Sequence, residues 1–127
     1  MHIKYFRTAA MSVILLLSNL AWAEQNKSIK VIIEEPAIGE SYSGIANLRG
    51  WAVAPEGMTQ YFLSVYIDGE FSFYMPHGGA RGDVEQSYPN YPNSDQSGFS
   101  MAFNYKNLTP GEHTIEVVGY DNNGDYN

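Results

Sequence analysis

Cysteine is absent from the 127-residue chain, and bases are half as numerous as acids, 7 Lys and Arg against 14 Asp and Glu. Without cysteine there is no disulfide, no thiol nucleophile and no residue for lipid attachment at an export cleavage point. A net charge of −7 gives a phosphate backbone nothing to hold, which argues against nucleic acid as a partner. Long apolar runs are missing as well. The longest, Ala9 to Ala23, covers 15 residues and is broken by Ser12, Ser18 and Asn19, whereas a membrane-spanning helix needs roughly 20. No window carries sustained helical periodicity, and the length leaves no room for a large two-domain enzyme.

What is present begins with an export leader. Lys4 and Arg7 form a short basic region, Val13-Ile14-Leu15-Leu16-Leu17 centres an apolar one, and Ala21-Trp22-Ala23 is an A-x-A cleavage site. Residues 1–23 are therefore expected to be cleaved, with the product secreted or periplasmic. Cleavage removes two bases and no acid, which leaves 104 residues at a net charge of −9. A domain of that size buries roughly 60–70% of its unfolded surface, enough for one core held by packing alone.

The processed chain alternates apolar and polar residues in short runs. Strands are expected at Ser28–Glu34, at Ser43–Val53 with a bend or close contact at Gly50, and at Gln60–Ile67. Along the last of these Tyr61, Leu63, Val65 and Ile67 share one face, with Phe62, Ser64 and Tyr66 on the other. Asp68-Gly69 signals a tight hairpin. Phe71, Phe73 and Met75 alternate along the return strand, which places Phe71 and Phe73 opposite Phe62, Tyr66 and Tyr74. Gly98–Tyr105 and His113–Tyr120 complete six strands, the pattern of an all-β sandwich or small barrel. Pro76 to Ser97 breaks the alternation for 22 residues and contains a tandem Tyr-Pro-Asn, Tyr88-Pro89-Asn90 and Tyr91-Pro92-Asn93. Loops of that length are usually functional or disordered.

Four stretches together resemble the bacterial Ig-like domains of secreted and cell-surface proteins. They are Gly50-Trp51-Ala52, Val65-Tyr66-Ile67-Asp68-Gly69, Arg81-Gly82-Asp83-Val84 with Ser97-Gly98-Phe99-Ser100, and Leu108-Thr109-Pro110-Gly111-Glu112-His113-Thr114-Ile115 followed by Tyr120-Asp121. The resemblance runs from about Ile29 to Asp125. It implies an Ig-like β-sandwich of two antiparallel sheets, with His113 where such domains often carry a tyrosine corner, and it implies no chemistry. Ig-like domains run a final strand back after the turn matching Asp121–Asp125, and that strand is missing before Asn127. Either the sequence is a fragment or the sheet keeps an open edge beside His113–Tyr120, available for strand exchange or homo-oligomerisation.

Catalytic motifs are poor. Gly39-Glu40-Ser41-Tyr42-Ser43 lacks the last glycine of a nucleophile elbow, and His77-Gly78-Gly79-Ala80 has no elbow to serve. Glu34 and Glu35 are adjacent, so on a regular strand they face opposite sides. No enzyme is expected, and no cofactor beyond calcium. For that ion Asp121, Asn123 and Asp125 supply oxygens, although acidic turns of this composition are commonly plain turns. The candidate binding residues are Arg81 and Asp83, which flank a glycine turn, and Tyr88 and Tyr91 in the long loop. Tyrosine gives rigid area with a polar tip, suited to protein interfaces or to sugars. The expected function is a non-enzymatic interaction or spacer module contacting a protein through residues 76–97 and the open edge. A carbohydrate-binding module using exposed tyrosines is the alternative.

Overall fold

The computed structural model describes residues 2–8, 23–59 and 62–127. The apolar stretch of the leader, Ala21 and Trp22 lie outside the described residues, as do Gln60 and Tyr61. Among the described residues the strands are β1 (His2–Thr8), β2 (Lys30–Glu35), β3 (Ile45–Val53), β4 (Leu63–Ile67), β5 (Glu70–Met75), β6 (Gly98–Asn104) and β7 (Glu112–Val118), with one short α-helix, α1 (Gly82–Ser87), and two 3-10 turns at Ser94–Gln96 and Tyr105–Asn107. They form two sheets, one in the order β1-β7-β4-β5 and one in the order β2-β3-β6. Every pairing is antiparallel except β1 on β7, which is parallel. The fold is an all-β sandwich.

One apolar cluster joins the layers. Val31, Leu48, Ala52, Phe99 and Phe103 from the first sheet meet Leu63, Val65, Met75, Ile115 and Val117 from the second. The Phe73 and Phe103 rings stack across the gap with centroids 5.8 Å apart. Inward residues of β4 and β7 follow the alternation seen in the sequence, because a period of two keeps one face in the core. Asp68 and Gly69 both take positive φ, 53° and 84°, the mirror-image turn whose twist suits a hairpin.

Two bulges shape the surface. On β5 the register passes from Val65–Phe73 to Tyr66–Phe71, so Ser72 is extra and unpaired. On β2 it passes from Ile33–Gly50 to Glu35–Arg49, which leaves Glu34 extra. A bulge re-aims side chains, and here each one moves a residue of consequence.

Candidate functional site

The Ser72 bulge corrects the expected placing of Phe71. Instead of sharing the inner face with Phe73, Phe71 turns outward beside Tyr66 and Tyr74. The outer face of β4–β5 thereby carries a continuous row of rings. Phe62 lies 4.4 Å from Tyr74, Tyr74 lies 4.8 Å from Phe71, and Phe71 lies 5.8 Å from Tyr66, centroid to centroid. Phe62, Phe71 and Tyr74 are 40%, 48% and 59% exposed. Beside them Thr59, Phe62, Ser64, Tyr74 and Tyr120 line an open hollow of about 380 Å³. Burial, then the neighbouring Tyr66, pushes the Tyr120 hydroxyl above its ordinary pKa, while its hydrogen bond with Ser64 works the other way. Tyr120 is half-buried and lines this hollow beside Ser64.

Residues 76–97 do not make the open loop their composition suggests. Arg81 Nη1 and Nη2 donate to the two carboxylate oxygens of Glu34 at 2.7 and 3.0 Å, and Nε and Nη2 donate to Asp83 at 2.8 and 2.7 Å. Fork-on-carboxylate geometry of this kind fixes orientation as well as charge. Its hydrogen bonds to Asp83, then to Glu34, raise the Arg81 pKa still further, and the Arg81 fork holds Asp83 at about 2. Gly78 and Gly79 pair with Gly98, and the Arg81 N–H donates to the Asp95 carbonyl. Tyr88 sits 5.5 Å from Trp51 and Tyr91 sits 5.1 Å from Tyr88, both half-buried. Arg81 and Asp83 thus clamp the segment to β2, while Tyr88 packs on Trp51 and Tyr91 packs on Tyr88. Because Glu34 is the bulged residue, it reaches Arg49 together with Glu35, at 3.3 and 3.1 Å; the expected opposition of these two acids is lost. Replacing Arg81 by Met should speed amide exchange across residues 78–98 while lowering global stability by only about 1–2 kcal/mol. Hydrogen exchange on the variant measures both.

Asp121 is fully buried. Its Oδ1 accepts the N–H groups of Asn123 and Asp125, each at 2.9 Å, and Asn123 is exposed. The arrangement is a side-chain-capped turn. Among the described residues no group of three or more His, Cys, Asp or Glu side chains is placed to hold a metal, and no helix is long and apolar enough to cross a membrane.

His113 is buried at the foot of β7. Nδ1 donates to Asp68 Oδ2 at 2.7 Å and Nε2 donates to the Thr109 carbonyl at 2.6 Å. Both partners only accept, so the ring suits its doubly protonated form. The Asp68 bond raises the His113 pKa. Burial alone would raise Asp68, but the Thr114 N–H and His113 together hold it below its usual value. His77 goes the other way: burial depresses it, against a hydrogen bond from Nε2 to the Ala52 carbonyl at 3.1 Å. The signs give a testable pH profile. The His113 contribution is complete below its unfolded pKa near 6.5 and is lost as pH rises through the folded value. The His77 contribution is complete above 6.5 and is lost as pH falls through its depressed folded value. The His113→Gln variant should therefore lose the alkaline decline of the thermal midpoint, and His77→Gln the acid one. Unchanged profiles would remove both assignments.

No protein-family model matches the chain, and neither a curated protein nor a solved structure is significantly similar to it.

Proposed function

We propose that the chain is an exported, non-catalytic, Ig-like interaction module that holds a protein partner against the outer face of β4 and β5. The row Phe62–Tyr74–Phe71–Tyr66 carries this reading. Three large aromatic residues exposed together on one sheet face are unusual for a surface meant only for water. Aromatic rings are also the side chains that supply most of the binding energy in protein interfaces. The tilts bear on the kind of partner. Adjacent rings meet at 53°, 54° and 76°, a herringbone with clefts for side chains rather than a flat shelf for a sugar ring. This favours protein over carbohydrate, and it supports the β4–β5 face ahead of residues 76–97 as the binding surface.

Selecting a random-peptide library on residues 24–127 tests the proposal. Apolar and aromatic peptides should be enriched, and they should not bind the Phe62→Ser, Tyr74→Ser double variant. Retention on polysaccharide that disappears in Tyr88→Ala, Tyr91→Ala would overturn it in favour of sugar binding.

A further inference from the structure

A second surface lies at the β7 edge, away from the aromatic row. Residues His2–Thr8, which belong to the expected leader, pair there in parallel, with His2 opposite Glu112, Phe6 opposite Ile115, Arg7 opposite Glu116 and Thr8 opposite Val117. β7 is sealed on both faces: Ile115 and Val117 point into the core, and Glu116 and Val118 on the other side are 4% and 0% exposed. In residues 24–127, the expected product of cleavage after Ala23, the backbone N–H and C=O groups along this edge have no β1 to pair with, and a bare edge is a template for another strand.

We propose, resting on the expected removal of residues 1–23, that the β7 edge accepts a basic, extended segment of a partner protein, added parallel to β7 in the register that residues 2–8 show. Charge selects this occupant. β7 carries Glu112 and Glu116, whereas the segment seated on it carries Lys4 and Arg7, with Arg7 in register with Glu116. The five bases that remain after processing are Lys27, Lys30, Arg49, Arg81 and Lys106. They lie on β2, on β3 or in connections that flank the β2–β3–β6 sheet. No Lys or Arg lies on β4, β5 or β7, and the charge that His113 carries on β7 is matched by Asp68 at 2.7 Å. A second copy is the poorer occupant, because pairing β7 with β7 gathers two Glu112 and two Glu116 on one ribbon. Main-chain bonds would supply affinity and the acids would supply specificity.

The test uses a labelled peptide of sequence HIKYFRT and residues 24–127, read by fluorescence anisotropy and amide exchange. The peptide should bind saturably and slow exchange at residues 112–118, and glutamate in place of its arginine should weaken binding about tenfold or more. The uncut chain should take up no peptide until Lys4→Glu and Arg7→Glu weaken the resident strand. If residues 24–127 fold only once the peptide is added, the acceptor role is equally supported. Failure to bind or to fold with the peptide would overturn the proposal. So would equal uptake by the unmodified uncut chain, or a peptide-independent dimer protected at β7. None of these outcomes bears on the aromatic face, whose binding is read by the library selection.

Discussion

Gly50→Ala should cost about 3 kcal/mol or more and remove most of the cooperative unfolding transition of the processed chain. Gly50 lies in the middle of β3, which is paired on one side with β2 and on the other with β6. A Cβ there would collide with the Ile32 carbonyl oxygen and stand 2.7 Å from Phe99 Cζ. The carbonyl belongs to paired backbone and cannot swing aside as a side-chain tip would. Relief requires opening the β2–β3 ladder beside the Glu34 bulge or displacing a core ring. Overpacking typically costs about 1–3 kcal/mol when side chains alone adjust, and this site adds backbone, against a total stability of about 5–15 kcal/mol for a domain. Gly82→Ala is the control: nothing lies within 4 Å of its added Cβ, and it opens α1. Urea unfolding of both variants should show a large loss for the first and almost none for the second. Equal midpoints would contradict the close approach at Gly50.

Phe62→Ser with Tyr74→Ser should abolish binding of selected peptides while leaving the fold intact. Central aromatic residues of an interface cost about 2 kcal/mol each when truncated, roughly thirty-fold apiece. Coupling within a contacting pair changes the sum without restoring the loss. Stability should move by less, because both side chains already face water in the free protein. Replacing them also removes exposed apolar area, so the variant should be more soluble. The paired measurement is peptide affinity beside the thermal midpoint. Lost affinity at a constant midpoint is the expected result, and parallel loss of both would reduce the rings to packing elements.

Strand positions were legible in the sequence because a period of two and the Asp68-Gly69 turn are local signals. The outer aromatic row was only half legible. Phe62, Tyr66 and Tyr74 follow from the alternation, but Phe71 does not. A turn with Asp68 and Gly69 as its two central residues pairs Ile67 with Glu70 and Tyr66 with Phe71, which puts Phe71 outside, whereas the alternation of Phe71, Phe73 and Met75 puts all three inside. The turn and the inward places of Phe73 and Met75 are reconciled only by an extra residue between Phe71 and Phe73, and Ser72 is that residue. The conflict was present in the sequence, although its location was not. The segment 76–97 misled for another reason. Its order comes from Arg81 meeting Glu34, 47 residues earlier, and from Tyr88 meeting Trp51. Contacts so distant in sequence leave no local periodicity. Glu34 itself is aimed by a bulge that composition does not announce.

The most direct measurement of where a partner docks is an NMR titration of residues 24–127 with the strongest peptide from the library. Docking on the β4–β5 face requires the largest shifts at Phe62, Ser64, Tyr66, Phe71, Tyr74 and Tyr120, with Trp51, Arg81, Tyr88 and Tyr91 unmoved. Shifts concentrated at Trp51, Tyr88 and Tyr91, with the aromatic row silent, would contradict it.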